Sequence, residues 1–139
     1  MTKTISTAES CTGGLLSSKL TDISGSSSYT TLNLVTYALE AKKKMLGVTV
    51  EEDEVVSEKC AYQMAKGLYE LTHSDICIST TGNAGPTGDP VGLMYSTIFT
   101  KDKSKTYKIQ LDPKTPRVLM KEKFVQEVLK NLMEFLAQY

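Results

Sequence analysis

Strand-like and helix-like segments alternate along the first two thirds of the chain. Strands are expected at 1–6, 32–37 and 75–80, and the apolar spacing of a helix occurs at 15–23, 38–46 and 57–72. Because neighbouring parallel strands need a long crossover connection, which is usually a helix, this alternation predicts a parallel sheet covered by helices. The segment 32–37 is apolar enough to be a central strand of that sheet.

The last third of the chain has a different pattern. Two strand-like segments at 93–100 and 106–111 flank a polar turn, which predicts an antiparallel hairpin. Thr115 and Pro116 suit the N-cap and first position of a final helix. The pattern as a whole predicts an α/β fold, a three-layer α/β/α sandwich with a mainly parallel sheet and an antiparallel hairpin.

Two of the predicted helices have a clear apolar face that should point into the core. For the helix at 57–72, which Ser57 is expected to cap, that face is Cys60, Ala61, Met64, Ala65, Leu68 and Leu71. For the final helix it is Val118, Val125, Val128, Leu132, Phe135 and Leu136.

Composition limits the classes of function. The length predicts a single domain, residues 1–139, with a core of ordinary size. Because 16 basic residues balance 16 acidic ones, nothing indicates a nucleic-acid or membrane-surface partner, although local groups could still hold a small anion. No apolar run approaches the length of a membrane span. The cysteines, Cys11, Cys60 and Cys77, are odd in number and widely spaced, which predicts no disulfide framework, no metal site and a cytoplasmic protein.

The turn between the first strand and the first helix holds the candidate nucleophile. The stretch is Thr7-Ala8-Glu9-Ser10-Cys11-Thr12-Gly13-Gly14. A strand, a polar turn and a helix together place a side chain above a helix N-terminus, where unpaired N–H groups can hold an anion or a developing oxyanion. Ser10 is the side chain expected there. The alternative is that these hydroxyl residues only cap the helix.

A serine needs a base before it can attack a carbonyl, and Lys42 is the candidate base. Tyr37 and Lys42 are five residues apart, so their hydroxyl and amine converge only if Tyr37 ends a strand and Lys42 lies in the following helical turn. Turns that follow parallel strands share one edge of the sheet, where ligands generally bind. The alternatives are a solvated helix lysine and a half-buried strand tyrosine. His73, the only histidine, is expected to cap a helix end.

Glycines are densest at 81–92, directly after the third predicted strand. This loop lacks the Gly-Lys-Ser/Thr ending of a P-loop, and Pro86 and Pro90 interrupt the helix that a dinucleotide fingerprint must open. Its glycines still allow a ligand to approach the backbone closely. A ligand-binding loop and a purely structural turn both stay open.

Taken together, these stretches resemble the C-terminal domain of the CinA family, the nicotinamide mononucleotide (NMN) amidohydrolases. The matching segments occur in the family's order and at its approximate spacing, at 7–14, 35–42, 56–58, 81–86 and 90–92. They cover nearly the whole chain. No single one of them is specific, but the combination is.

The resemblance implies an enzyme that hydrolyses the carboxamide of NMN to nicotinate mononucleotide and ammonia, without a metal or organic cofactor. It implies that Ser10 is the nucleophile and that Tyr37 and Lys42 complete the site. The residues implied to bind the substrate or its oxyanion are Cys11, Thr12, Gly13, Gly14, Gly82, Asn83, Ala84, Gly85 and Arg117. The family's layered α/β/α fold agrees with the prediction above, and its members commonly form homo-oligomers, so a homodimer or larger assembly is expected.

The chain departs from the family pattern at several positions. It starts almost at the 7–14 motif, so a subunit partner is expected to cover part of the sheet. Ala38 and Leu39 replace a polar pair, and Asn83 replaces an aliphatic residue. Family members often have two arginines near the last helix. Arg117 matches the first and Lys121 replaces the second, and for both residues a phosphate contact and a plain surface charge are the alternatives.

Three hypotheses about function follow. The first is an NMN amidohydrolase, and the second is an amidase for another small amide. The third is a catalytically idle nucleotide-binding or scaffold module with the same fold. The presence of Ser10, Tyr37 and Lys42 favours the two enzymes. The shortened segment before the 7–14 motif favours the idle module.

Overall fold

The computed structural model describes residues 3–138, in which five strands and four α-helices form three layers. The strands are β1 (Ile5–Glu9), β2 (Thr30–Val35), β3 (Ile76–Gly82), β4 (Leu93–Phe99) and β5 (Ser104–Gln110). The helices are α1 (Leu15–Leu20), α2 (Leu39–Leu46), α3 (Glu58–Thr72) and α4 (Arg117–Ala137). This arrangement confirms the predicted α/β/α sandwich.

The sheet is half parallel and half antiparallel, with the strand order β2-β1-β3-β4-β5. β1 is parallel to both β2 and β3, and β4 and β5 form the predicted antiparallel hairpin at the other end. The prediction that 32–37 is a central strand is wrong, because β2 lies at the edge of the sheet. Leu32 and Val35 accordingly keep 38% and 51% of their surface exposed.

Apolar side chains fill the space on both faces of the sheet. On one face α2 and α3 cover Ala8 and Cys77, and on the other α1 and α4 cover Ile76 and Ile78. Each apolar face predicted from sequence extends one turn too far: Leu71 at the end of α3 and Val118 at the start of α4 are exposed. The pattern gives the period of a helix, but it does not show where the sheet beneath stops.

Several element boundaries follow local rules. The Ser57 hydroxyl accepts a hydrogen bond from the Cys60 amide and so caps α3 as predicted, and His73 ends the same helix in the left-handed conformation. Gly47 ends α2 at φ 69°, where glycine is favoured. α4 begins at Arg117 with Pro116 as N-cap, one residue later than predicted. Within residues 3–138, no helix combines the length and apolar character that a membrane crossing needs.

The contact between α2 and α3 is unusually close at Gly67. A Cβ atom added there would lie 1.9 Å from the carbonyl oxygen of Leu46, the last residue of α2. Only a residue without a side chain allows this approach. Because α2 also holds Lys42, the close contact helps to fix that lysine relative to the sheet.

Candidate active site

Lys42 is completely buried, and its amine contacts the candidate nucleophile. The Nζ atom lies 2.8 Å from Oγ of Ser10, 2.9 Å from the carbonyl oxygen of Thr36 and 2.8 Å from that of Tyr37. Ser10 directly follows β1, and the two carbonyl groups directly follow β2. The expected meeting of Ser10 and Lys42 at the carboxyl ends of parallel strands is therefore present.

Burial lowers the pKa of Lys42 below its ordinary value of 10.5, because the charged ammonium loses its hydration. Negative charge on Cys60, Cys11 or Glu52 acts in the opposite direction and raises this pKa. Desolvation is the largest of these effects. The lysine is thus more readily deprotonated than one at the surface, as a general base requires.

The two carbonyl groups also orient the amine. A neutral lysine has two N–H donors and one lone pair, whereas its ammonium form has three donors and no acceptor. The Ser10 hydroxyl donates to the carbonyl oxygen of Tyr37 at 3.4 Å. With the carbonyl oxygens of Thr36 and Tyr37 accepting two N–H bonds from the amine, the third position on Nζ faces Oγ of Ser10 and in the ammonium form donates an N–H to it. In the neutral form that position is the lone pair, which can accept the Ser10 proton.

Tyr37 contributes its main chain to this contact and turns its side chain elsewhere. The side chain is 56% exposed, and its hydroxyl accepts a hydrogen bond from Nη2 of Arg117 at 2.9 Å. This corrects the expectation that the tyrosine hydroxyl converges with the Lys42 amine. The carbonyl of Tyr37 thus contacts Lys42, whereas its hydroxyl contacts Arg117 at the cavity wall.

The turn after β1 is built around a buried carboxylate, that of Glu9. Its oxygens accept hydrogen bonds from Oγ1 of Thr12 at 2.5 Å, from the main-chain amides of Leu16 and Ser17 at 2.9 Å each, and from Oγ of Ser17 at 2.6 Å. The amides at the start of α1 are therefore already occupied. This corrects the expectation that the N-terminus of α1 holds an anion or an oxyanion.

Thr80 of β3 connects this turn to the sheet. Its hydroxyl accepts a hydrogen bond from the Ser10 amide at 3.2 Å and lies 2.9 Å from the hydroxyl of Thr12. Sequence reasoning missed both Glu9 and Thr80 as site-building residues. Glu9 lies in the quoted motif, and the available signal was that a carboxylate just before a helix can cap it.

Ser10 opens onto a cavity of about 530 Å³. Its wall comes from the β1 turn, the segment after β2, the α2–α3 connection, the glycine loop and the start of α4. The lining residues are Ser10, Cys11, Tyr37, Glu52, Asp53, Val55, Val56, Thr81, Gly82, Asn83, Ala84, Thr87, Gly88, Asp89 and Arg117.

The predicted binding residues divide into two groups. Cys11, Gly82, Asn83, Ala84 and Arg117 line the cavity. Gly85 is not a lining residue, but its carbonyl oxygen accepts a hydrogen bond from Nη1 of Arg117 at 2.5 Å. Thr12, Gly13 and Gly14 do not belong to the wall.

Local contacts explain why those three residues lie elsewhere. Thr12 faces Glu9, and Gly14 precedes α1 in the left-handed conformation. Lys121 sits over Gly13, since a Cβ atom added there would be 3.5 Å from its Nζ atom. Lys121, which replaces the second family arginine, is therefore directed to the turn. It is not among the residues that line the cavity.

The acidic part of the cavity wall was not predicted. Glu52 and Asp53 come from a short 3₁₀ turn (Glu52–Glu54), and Asp89 comes from the glycine loop. The run of acidic residues at 51–54 is typical of a solvated connection, so no sequence pattern places it beside Ser10. Among residues 3–138, no three His, Cys, Asp or Glu side chains are grouped so that they could hold a metal ion.

Two lining residues of the glycine loop also stabilise the fold. A Cβ atom at Gly82 would lie 2.6 Å from the carbonyl oxygen of Leu93, so the close pairing of β3 with β4 needs glycine. Asn83 donates a hydrogen bond from Nδ2 to the carbonyl oxygen of Pro90 at 3.1 Å, which joins the two ends of the loop. The structure thus supports both interpretations of this loop, a ligand-binding loop and a structural turn.

Fold and site define an α/β/α domain with a serine–lysine pair at the carboxyl edge of its parallel strands. A sequence model of the CinA C-terminal domain matches residues 1–136. The chain belongs to this family.

Relatives and solved structures agree with that assignment. A CinA-like protein of Chloroherpeton thalassium is 45% identical over 141 residues, which is 95% of this chain and 34% of that protein. A CinA-like protein of Shewanella pealeana is 43% identical over 124 residues, covering 84% of this chain and 29% of its own. The chain spans about a third of the length of the curated relatives it matches.

The crystal structures that the fold resembles are of similar size to this chain. The competence/damage inducible protein CihA of Agrobacterium tumefaciens superimposes with a TM-score of 0.88 at 34% identity, over 95% of this chain and 84% of that one. A CinA superfamily protein of Klebsiella pneumoniae 700603 gives a TM-score of 0.91 at 30% identity, over 99% and 89%.

Proposed function

We propose that the chain is an amidohydrolase that converts NMN to nicotinate mononucleotide and ammonia, with Ser10 as nucleophile and Lys42 as general base. The observation that carries the proposal is the 2.8 Å contact between the buried Nζ of Lys42 and Oγ of Ser10 at the wall of a cavity. The choice of substrate rests on the resemblance of the motifs to the NMN amidohydrolases. A cavity of about 530 Å³ lies within the usual range for small-molecule sites.

The first step is the transfer of a proton from Ser10 to Lys42. Neutral Lys42 accepts the proton while Oγ forms a bond to the carboxamide carbon, and the carbonyl double bond opens to an oxyanion. The carbonyl oxygens of Thr36 and Tyr37 hold the resulting ammonium through its other N–H bonds. The proposed oxyanion donor is the main-chain amide of Cys11, the lining residue that follows the nucleophile.

The second step releases ammonia. The oxyanion collapses, the C–N bond breaks, and Lys42 returns its proton to the leaving nitrogen, which leaves an ester on Ser10. Water then attacks the ester carbon, with neutral Lys42 accepting one of its protons. When the ester bond breaks, that proton returns to Ser10, and nicotinate mononucleotide leaves the restored site.

Ammonia release from NMN by the purified chain tests the proposal. We expect Ser10→Ala and Lys42→Met to lower kcat by about 1,000-fold or more, because each removes one partner of the reacting pair. The matched controls are Ser18→Ala and Lys44→Met, which make the same changes at exposed positions. Circular dichroism and thermal unfolding would show that each variant is folded.

Each other outcome has a definite meaning. Unchanged activity in Ser10→Ala would exclude this mechanism. Binding of NMN without ammonia release would favour the idle module, and ammonia release from another small amide but not from NMN would favour the alternative amidase.

A further inference from the structure

Tyr37 connects the reacting pair with a charged group on the cavity wall. Its carbonyl oxygen accepts a hydrogen bond from Nζ of Lys42, and its hydroxyl accepts one from Nη2 of Arg117. The two contacts lie at opposite ends of the same residue. The main chain and the side chain of Tyr37 can therefore have separate roles, one at Lys42 and one at Arg117.

Arg117 is held only by uncharged acceptors. Nη1 donates to the carbonyl oxygen of Gly85, and Nη2 donates to the Tyr37 hydroxyl. Within residues 3–138, no carboxylate oxygen lies within ion-pair distance of the guanidinium. Its charge is therefore not neutralised by a neighbour, and up to three of its five N–H donors are left for a ligand.

The charges of the cavity wall favour Arg117 as the residue that binds an anion. The lining contains the carboxylates of Glu52, Asp53 and Asp89, and Arg117 is its one cationic side chain among the described residues. An anionic group that enters the cavity is repelled by the three carboxylates and attracted only to Arg117. A planar guanidinium whose orientation is fixed in advance binds a phosphate with two parallel hydrogen bonds.

The contacts of the Tyr37 hydroxyl do not suit a proton relay. A relay needs a hydroxyl within hydrogen-bond reach of Ser10 or Lys42, whereas the recorded partner of this hydroxyl is Arg117. A guanidinium stays protonated and accepts no proton, so it cannot take part in proton transfer. The contact orients the arginine instead.

We propose that the Tyr37 side chain is a positioning residue that holds Arg117 toward the phosphomonoester of the substrate. In this assignment the contribution of Tyr37 to the chemistry is its main-chain carbonyl, which orients Lys42. The inference rests on the proposed function, since NMN supplies the phosphomonoester.

The test uses Tyr37→Phe, which removes the hydroxyl and keeps the ring and the main chain. We expect KM for NMN to rise about fivefold, the effect of one lost hydrogen bond, while kcat stays within about twofold of the parent. Nicotinamide riboside has the same carboxamide and no phosphate, so its KM should not change. Tyr62→Phe is the control, because this half-exposed tyrosine of α3 does not line the cavity.

A binding arm separates this inference from the proposed function. In the Ser10→Ala background, calorimetry with NMN should show about fivefold weaker binding for Tyr37→Phe. Adding Tyr37→Phe to Arg117→Gln should weaken binding no further, since the hydroxyl acts through the arginine. A parent chain that releases no ammonia from NMN would overturn the proposed function, and the binding arm would still decide the role of Tyr37.

Two results would overturn the positioning role. One is a kcat at least about 100-fold lower in Tyr37→Phe with both substrates, which is the signature of a proton relay. The other is unchanged NMN binding in Tyr37→Phe, or additive losses when it is combined with Arg117→Gln.

Discussion

The carboxylate of Glu9 and the residue Ser17 are joined by two hydrogen bonds, from the Ser17 amide at 2.9 Å and from its hydroxyl at 2.6 Å. Glu9 ends β1, and Ser17 lies in the first turn of α1. The carboxylate therefore caps a helix of only six residues that would otherwise have little stability of its own. Ser10, directly after Glu9, is held in place by the same contacts.

Replacing Glu9 with glutamine should destabilise the protein by about 3 kcal/mol, the typical worth of hydrogen bonds to a buried charged group. The glutamine amide has two donors of its own, which would face the donors that now bind the carboxylate. Chemical denaturation would measure the change, with Glu40→Gln at an exposed site of α2 as the control. Equal stability of the two variants would contradict the capping role.

The sequence predicted the meeting of Ser10 and Lys42 because both depend on general rules. Strand and helix periodicity put Ser10 in the turn after the first strand and Lys42 in the helix that follows the second, and the turns after parallel strands share one edge of a sheet. The edge position of β2 was not predictable in the same way, since the apolar content of a strand does not fix its order in the sheet. The same holds for Glu52, which reaches the cavity only through the path of a polar connection.

Side-chain direction was the other feature beyond the reach of sequence. From their spacing, the hydroxyl of Tyr37 and the amine of Lys42 converge only if Tyr37 ends a strand and Lys42 lies in the following helical turn. However, the amine meets the carbonyl of Tyr37, and the hydroxyl meets Arg117. Periodicity places residues on a face or at an edge, but it does not settle which group of a residue faces inward. The expected homo-oligomer stays a prediction.

Gly67→Ala should lower both stability and activity. The added Cβ atom would lie 1.9 Å from the carbonyl oxygen of Leu46, so α2 must shift away from α3 and move Lys42. We expect a loss of at least about 2 kcal/mol in the free energy of unfolding, as for other overpacked sites. Ammonia release should fall as well. Glu70→Ala, at an exposed position of α3, is the control, and an undisturbed Gly67→Ala protein would refute the close-contact argument.

Lys42→Met should change how stability depends on pH. The pKa of Lys42 is lowered by burial in the folded protein, so between that pKa and 10.5 the unfolded chain binds more protons than the folded one. The parent therefore loses stability as the pH falls through this window, by up to about 1.4 kcal/mol per pH unit. The variant lacks this loss.

Denaturation of both proteins at several pH values checks the prediction. The free energy of unfolding of Lys42→Met, relative to the parent, should rise as the pH is lowered from 10.5 toward the pKa of Lys42 in the folded protein. Lys44→Met, in which an exposed lysine is replaced, should show no such trend. A constant difference between Lys42→Met and the parent would mean that Lys42 keeps its ordinary pKa in the folded state.

Glu52→Gln should move the pH dependence of activity. If Lys42 is the base, kcat/KM rises with pH as this lysine loses its proton, and the midpoint of the rise reports its pKa in the free enzyme. The Glu52 carboxylate raises the pKa of Lys42, so removing its charge should lower that pKa and shift the midpoint to lower pH. Glu70→Gln, which removes a charge from an exposed site outside the cavity, should leave the midpoint in place. A midpoint that stays in place in Glu52→Gln would show that the titrating group is not Lys42, because the loss of the Glu52 charge must lower the pKa of this lysine.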